Sequence, residues 1–303
     1  MIDPIKNPLE DTTTPLPPPR PFSADEFQLN WTRCDLEQRL GFRGGRFTNV
    51  NRWLSFVIGL AMTLAFFGLL IFGLQRVPAA HWLTAMFLER GICPYPTMFF
   101  FFWALTIILI KRSKLRLQEE ALRLAAVPQQ PEFELTPASS RAVLERIHTL
   151  VDGTSHFLLL NRIERALSNL KNIGQVSDVA SILKTQAEYD EEQMTSSYSL
   201  INGFIWAIPV LGFIGTVLGL SQAIGGFGVT LQAGGDLGAI KGSLTAVTAG
   251  LATAFETTLI ALVAALIVQL LVTFMQSLEG EFLDACNDYC HASVTSKLRL
   301  TAP

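Results

Sequence analysis

Charged side chains are scarce in this sequence, at 16% of 303 residues, whereas hydrophobic residues make up 50%. A soluble domain of this size exposes more charge than that, so the composition indicates a membrane protein. The net charge of −3 gives no basic footprint for nucleic acid. Nucleotide-binding loops and nucleophile elbows are also lacking, so we expect no enzyme of covalent chemistry and no cofactor.

Cysteine is rare as well, with four residues at Cys34, Cys93, Cys286 and Cys290. So few and so widely spread, they do not indicate a disulfide framework. Cys286 and Cys290 stand near His291, and these three can be interpreted as part of a metal site. A fourth ligand is missing, so we expect no metal.

An apolar signal-peptide core is missing from the first 50 residues, which contain the proline-rich stretch TTTPLPPPRP instead. Such a stretch is typical of an extended or disordered tail. We therefore expect residues 1–51 to form a partly disordered N-terminal region on the cytoplasmic side.

Four apolar stretches are long enough to cross a bilayer, which takes roughly 20 helical residues. They are residues 53–74, 95–110, 200–223 and 244–274. The last is longer than a bilayer requires, so we expect its end to tilt or to project into water. The predicted fold class is all-α, with four spans and a helical cytoplasmic segment between the second and the third.

Basic residues near the ends of the spans predict the orientation of the chain. The first span is preceded by Arg39, Arg43, Arg46 and Arg52, and the second span is followed by Lys111, Arg112, Lys114 and Arg116. The loop inside that hairpin offers only Arg76 and Arg90. We therefore expect an inner-membrane protein with both termini in the cytoplasm.

These features divide the chain into five regions. The N-terminal region at 1–51 precedes a first transmembrane hairpin at 52–111 and a cytoplasmic helical segment at 112–198. A second hairpin at 199–277 precedes a cytoplasmic tail at 278–303. We expect the glycine-rich stretch 225–242 to be the outer loop of the second hairpin, serving either as a simple turn or as a partner entrance.

Two signals stand out in the polar segment. The linker VPQQPEFELTPASS ends in Ser139 and Ser140, which are candidate caps of the helix that follows. Further on, Asp190, Glu191 and Glu192 form an acidic cluster. That cluster suits either a solvated helix face or a cation vestibule below the membrane.

The third and fourth spans each carry a stripe of small residues that includes one threonine. In the third span the stripe is Gly212, Thr216, Gly219 and Ala223. In the fourth it is Gly250, Ala254, Thr258, Ala261 and Ala265. Small stripes let membrane helices approach closely, and their hydroxyls can bond across the contact, so these residues also fit a role in packing alone.

The stretch PVLGFIGTVLGL resembles the pore-helix signature of the MotA/TolQ/ExbB proton channel family. GLATAFETTLIALVAAL is similar to the helix that follows in that family, and the resemblance covers about residues 187–275. It implies an ion channel subunit, five copies of which surround two copies of a smaller MotB/TolR/ExbD-like partner with one aspartate-bearing transmembrane helix. Such a complex converts ion flow into mechanical work at the cell envelope.

The resemblance also implies roles for individual residues. Thr216, by the match of GTV, and Thr258, by the match of TTLIAL, are expected to line the ion path. Thr257 is a second choice, because it points off the small stripe, and Gly212, Gly219, Gly250 and Ala254 are expected to pack the helices. A carboxylate is costly in hydrocarbon, so hydroxyls beside it are needed whether the ion is H⁺ or Na⁺.

Glu256 is the only acid within any of the four spans. It lies two residues before Thr258, about 200° around the helix, so it does not share the threonine face. The family pattern does not require an acid there. Two interpretations stay open: a second ion site at a subunit boundary, and a neutral acid that donates a hydrogen bond to Asn202 or to a backbone carbonyl.

Two other functions compete with an ion-driven motor. A non-conducting oligomeric scaffold needs only the small-residue stripes. A carrier for a small solute needs polar midplane residues in several spans, whereas the first two spans offer only Ser55, Thr63 and Thr106.

Overall fold

A computed structural model describes residues 29, 31, 35–39, 41–42, 44–45, 47–73, 81–89, 91–124, 126–128, 133–151, 153–168, 170, 176–232 and 237–299. In these residues the regular structure is helical, and pairing between extended segments is limited to two isolated bridges. The all-α prediction is therefore confirmed. The proline-rich stretch, Cys34, Arg43, Arg46, Arg76 and Arg90 lie outside the described residues.

The helices follow one another with short connections. In chain order they are α1 (Leu36–Arg39), α2 (Arg52–Phe72), α3 (His81–Leu88), α4 (Pro94–Arg123), α5 (Ser139–Leu150), α6 (Leu158–Ser168), α7 (Val176–Ser196), α8 (Ser199–Gln232) and α9 (Leu237–Cys290). Helices α2, α4, α8 and α9 contain segments long and apolar enough to cross a membrane, which confirms the four predicted spans.

The second hairpin is more helical than its sequence predicts. Helix α8 continues through Gly225, Gly226 and Gly228, and α9 begins at Leu237. The prediction of a loop over 225–242 is therefore wrong for most of its length, and residues 233–236, with Gly234 and Gly235, lie outside the described part. Glycine costs roughly 1 kcal/mol relative to alanine in a water-exposed helix, but near a membrane the loss of backbone hydrogen bonds costs more.

The first hairpin is held by a close approach of α2 to α4. A Cβ atom added at Gly59 would lie 2.8 Å from the Cα atom of Trp103, so only glycine fits that position without a backbone shift. The indole Nε1 of Trp103 donates to the Ser55 hydroxyl at 3.1 Å. The one polar N–H of this aromatic contact is thus satisfied inside the apolar region.

Helix α3 folds the loop of the first hairpin back onto the membrane helices. Its last three residues, Met86, Phe87 and Leu88, pack against a cluster that includes Phe67 of α2, Met98 of α4 and Ile260 of α9. This short helix is absent from the sequence prediction. It brings the connection between α2 and α4 into contact with the second hairpin.

We call the rest of the molecule the polar half: helices α5, α6 and α7, the parts of α4 after residue 110 and of α9 after residue 274, and the described residues of 29–50. Its apolar core includes Trp31, Phe157, Ile163 and Cys286. The expected region boundaries at 112 and 278 fall inside α4 and α9, which run on without a break. Each of these helices therefore connects the membrane spans rigidly to the polar half.

Helix α5 begins at Ser139, as the linker signal indicates, but Ala138 lies at the N-cap position, so neither Ser139 nor Ser140 caps the helix. The Thr136 amide donates to the Ser139 hydroxyl at 2.8 Å, and the Ser139 amide donates to the Thr136 hydroxyl at 3.3 Å. This reciprocal pair satisfies two donors at the start of the helix. Helices α7 and α8 are separated only by the turn at Ser197 and Tyr198.

Buried ion pairs join distant segments in the polar half. The Nζ atom of Lys111 lies 2.9 Å from Glu279, and that of Lys114 lies 2.6 Å from Glu37. Arg162 Nε lies 2.6 Å from the Asp190 carboxylate. Asp190 is therefore buried in an ion pair, so neither the solvated face nor the vestibule describes it, whereas Glu191 and Glu192 are exposed.

Residues 297–299 are docked against Leu135 beside the polar half. The Leu135 amide donates to the Lys297 carbonyl at 2.8 Å, and the Arg299 amide donates to the Leu135 carbonyl at 2.9 Å. Cys286 and Cys290 are free thiols buried in the core. In the part of the chain that the structure describes, no three potential metal ligands come together around them.

Candidate ion pathway

Helices α8 and α9 approach closely where the two small-residue stripes meet. A Cβ atom added at Gly212 would lie 2.5 Å from the Cβ of Ala261, and one at Gly250 would lie 2.6 Å from the Cβ of Ala223. At Gly219 the obstacle is backbone, since an added Cβ would lie 3.0 Å from the Gly250 carbonyl oxygen and 3.2 Å from the Ala254 nitrogen. These small residues thus bring α8 against α9 within one chain.

The hydroxyls of Thr216 and Thr258 meet inside this contact and hydrogen-bond to each other. Each also lies within bonding distance of two carbonyl oxygens. Thr216 Oγ1 is 3.2 Å from Gly212 O and 3.2 Å from Ala254 O, and Thr258 Oγ1 is 3.2 Å and 3.1 Å from the same two atoms. Four oxygen atoms, two from each helix, are therefore gathered at one level of the hairpin.

Both threonines are only half-buried, so part of each side chain reaches the surface of the hairpin beside the oxygen cluster. Large apolar side chains around them are exposed, at 65% for Phe213, 50% for Val217 and 65% for Phe255. In a membrane this face contacts lipid or another helix. The hydroxyls are therefore the polar groups that such a neighbour meets at this level.

Thr257 is placed differently from Thr258. It is buried and donates within its own helix, to Thr253 O at 3.0 Å or Ala254 O at 3.1 Å. A Cβ atom added at Gly215 would lie 2.6 Å from its hydroxyl and 3.2 Å from the Cβ of Cys93. Thr257 therefore fills the contact between α8, α9 and the start of α4 rather than the open face.

Glu256 lies on the turn of α9 that precedes Ile260, and it is half-buried. Ile260 packs toward Met98 and Phe67 of the first hairpin, so Glu256 is directed toward that side of α9 rather than toward the hydroxyl pair. Asn202 is not a feasible partner, because it lies 14 positions before Thr216 on α8, which is about 21 Å along the helix axis.

The chemistry of the oxygen cluster follows from its donors. Two hydroxyls supply two protons, whereas the surrounding acceptors are the two carbonyl oxygens and the hydroxyl oxygens themselves. The hydroxyl protons can rotate between these acceptors and a new polar group on the open face. A neutral carboxyl or a carboxylate placed there finds acceptors in one state and donors in the other.

Sequence reasoning missed two parts of this arrangement. The carbonyls of Gly212 and Ala254 join the cluster because each lies one turn before a threonine, and the i−4 spacing is the signal that indicates them. The contact of Gly215 with Thr257 and Cys93 has no sequence signal, because it depends on how the first hairpin packs on the second.

The fold and the hydroxyl cluster define a multi-pass, all-α membrane protein with a polar site between two close-packed spans. Residues 155–285, which include both threonines, match the model of the MotA/TolQ/ExbB proton channel family. The resemblance is thereby confirmed. A comparison with curated proteins found no match, and a comparison with solved structures found none either.

Proposed function

We propose that this chain is the ion-conducting subunit of a membrane motor driven by the proton or sodium gradient. The family that residues 155–285 match is one of proton channels. Several copies, five by analogy with the family, surround a single-span partner whose aspartate carries the ion. The complex lies in the inner membrane with both chain termini in the cytoplasm, and movement of the partner helix does mechanical work at the cell envelope.

The observation that supports this proposal is the half-buried position of the Thr216 and Thr258 hydroxyls. They lie on the open face of two close-packed spans, where a partner's carboxyl group can reach them. An intramembrane carboxylate needs such donors close by, since an unpaired charge in hydrocarbon is expensive. The small residues between α8 and α9 keep the two hydroxyls at one level.

A second candidate, the non-conducting scaffold, also has an observation in its favour. Both hydroxyls already have backbone acceptors in Gly212 O and Ala254 O, as threonines that only stabilise helix packing do. The two functions differ in what the hydroxyls contribute beyond packing. Conduction requires them to change partners, and scaffolding does not.

The experiment is a proton-flux measurement on the complex purified with its co-eluting membrane partner and reconstituted in liposomes. Thr216→Val and Thr258→Val keep the side-chain shape and remove the hydroxyl. We expect each to lower the flux at least about tenfold, the effect of losing one hydrogen bond to a charged group. Assembly, followed by size-exclusion chromatography, is expected to stay intact.

Two matched variants serve as controls. Thr248→Val removes an exposed hydroxyl that bonds only to carbonyls of its own helix, at Leu244 and Thr245. Thr257→Val removes a buried hydroxyl with the same kind of local acceptors. Both are expected to keep the flux. Unchanged flux in Thr216→Val and Thr258→Val would remove these hydroxyls from the ion path, and absence of flux in the wild-type complex would favour the scaffold.

A further inference from the structure

A cleft of about 450 Å³ opens in the polar half, away from the hydroxyl pair. Its walls come from α6, α7 and the end of α9, and the polar side chains that line it are Arg162, Lys184, Asn287, Asp288, His291 and Thr295. The proposed ion conduction uses none of these residues. Asn287 lies 13 residues after Phe274, about 20 Å along α9 from the end of the predicted span.

Arg162 lines this cleft, and one of its three guanidinium nitrogens has no hydrogen-bond partner among the described residues. Its side chain is 2% exposed, its Nε donates to Asp190 at 2.6 Å and its Nη1 donates to Asn287 Oδ1 at 2.6 Å. The third nitrogen, Nη2, is buried and has no hydrogen-bond partner among the described residues. A buried guanidinium nitrogen without an acceptor is costly, so a ligand that supplies an oxygen there gains stability.

The Asp190 carboxylate does not accept a hydrogen bond from Arg162 Nη2. Its Oδ2 accepts from Arg162 Nε, and its Oδ1 accepts from the Gln186 amide at 2.9 Å. Lys184 and His291 are exposed at the rim and supply further donors to the cleft. Among the residues that line the cleft, Asp288 is the one with a carboxylate, and it is exposed to solvent.

We propose that this cleft binds an oxyanion, a phosphate ion or the phosphoryl group of a larger ligand. Arg162 Nη2 is the most buried donor of this lining. Lys184 and His291 contact the anion from the exposed side, and the Thr295 hydroxyl is a further donor. A guanidinium group suits phosphoryl oxygens in both charge and geometry. The ligand comes from the aqueous phase, because the cleft lies well below the end of the span.

The cleft is also connected to the candidate ion pathway through its walls. Helix α7 leads into α8 across the turn at Ser197 and Tyr198, and α9 carries both Thr258 and Asn287 on one continuous helix. A ligand that orders these walls therefore acts on the same two helices that hold the hydroxyl pair. If the chain conducts ions as proposed above, this placement lets a soluble anion bound in the cleft regulate that conduction.

The test is isothermal titration of the full chain, in phosphatidylcholine nanodiscs, with inorganic phosphate at constant ionic strength. We expect saturable binding to the wild type. The variant Lys184→Gln/His291→Gln should raise the Kd at least about tenfold, since it removes two donors to the anion. Lys241→Gln, a matched change at an exposed lysine near the start of α9, should leave the Kd unchanged.

Asp288→Asn tests whether the cleft binds an anion, because a cleft without a bound anion would show no change in phosphate affinity. Removing this exposed negative charge should lower the Kd for phosphate, by up to about fivefold. Absence of phosphate binding to the wild type overturns the proposal, and so does an equal Kd in the wild type and in both cleft variants.

A second arm separates the two sources of the oxyanion. The melting temperature is measured without phosphate in nanodiscs with and without the anionic lipid phosphatidylglycerol. No difference is expected if the ligand is soluble. A rise with phosphatidylglycerol that disappears in Lys184→Gln/His291→Gln would assign the same site to a lipid headgroup.

Discussion

Thr216 and Thr258, 42 positions apart in the sequence, hydrogen-bond to each other and share the same two backbone acceptors, Gly212 O and Ala254 O. Each hydroxyl is therefore part of the other's environment. Any property that depends on one threonine depends on the other, whether that property is ion transfer or helix packing.

The first prediction concerns this mutual dependence. The stability effects of Thr216→Val and Thr258→Val should be non-additive, with a coupling of roughly 0.5–3 kcal/mol, as for residues that share hydrogen-bond partners. The measurement is a double-mutant cycle on the unfolding of the chain in detergent. Thr216→Val combined with Thr248→Val is the control pair, and the effects of these two substitutions on stability should be additive. If the effects of Thr216→Val and Thr258→Val are additive as well, the contact between the two hydroxyls contributes no coupling energy.

The second prediction concerns the close approach of α8 and α9. Gly212→Ala should destabilise the chain by about 1–3 kcal/mol, because the new methyl group would meet the Ala261 Cβ at 2.5 Å. Gly203→Ala, on the same helix, adds a methyl group with nothing within 4 Å and should be neutral or slightly stabilising. Thermal unfolding in detergent compares the two, and equal melting temperatures would contradict the packing described for Gly212.

The third prediction concerns the buried pair of Lys111 and Glu279. Both side chains are almost fully buried, at 1% and 3% exposure. Glu279→Gln should cost about 3–5 kcal/mol, since it leaves the Lys111 charge without its counter-ion. The double variant Lys111→Met/Glu279→Gln should recover most of that loss in the same unfolding assay, and a double variant as unstable as Glu279→Gln alone would argue against the pairing.

The fourth prediction concerns the pH dependence of Asp35. Burial raises the pKa of its carboxyl above the ordinary 3.8, and nearby Lys114 only partly opposes this. A raised pKa in the folded state means that ionised Asp35 destabilises the fold at neutral pH, and that this penalty disappears below about pH 3.8. Lys114 keeps its shorter contact with Glu37, at 2.6 Å, when Asp35 is neutral.

Asp35→Asn should therefore be more stable than the wild type at pH 7, and the two should converge as the pH falls through the raised pKa. Melting temperatures recorded from pH 7 to pH 3.5 follow the difference. The substituted carboxamide keeps an oxygen for the backbone amide of Glu37, which donates to Asp35 Oδ1 at 3.3 Å in the wild type. A variant that is less stable at pH 7 would mean that the attraction between Asp35 and Lys114 outweighs the burial.

The fifth prediction concerns Glu256. Because it is directed toward the first hairpin and away from Thr216 and Thr258, we expect Glu256→Gln to keep the proton flux of the reconstituted complex. Glutamine preserves the shape and the ability to donate a hydrogen bond. A loss of flux comparable to that of Thr258→Val would assign Glu256 to a second ion site at a subunit boundary.

The sequence predicted the parts of the molecule that depend on helical periodicity. The four spans follow from apolar length, and the meeting of Thr216 with Thr258 follows from small residues spaced three and four apart. Both are local patterns that a single helix carries. The oxygen cluster as a whole adds only the carbonyls one turn before each threonine.

Features that depend on contacts between distant segments were not predictable. Asp190 belongs to an acidic run that looks solvated, yet Arg162, 28 positions earlier, makes it a buried partner. Helix α3 and the contact of Gly215 with Cys93 exist because the first hairpin packs against the second. The glycine-rich stretch after Ala223 misled the prediction, because glycine content indicates a loop only where water can replace the backbone hydrogen bonds.

Helix α9 has 54 residues without a break and is therefore about 80 Å long. Thr258 and Cys290 lie on this one stiff rod, 32 positions or about 48 Å apart. If the helix pivots at the level of Thr258, a tilt of about 5° over the roughly 48 Å to Cys290 moves Cys290 by about 4 Å. Helix α9 is thus long enough for a small tilt in the bilayer to become a displacement of several ångströms at Cys290.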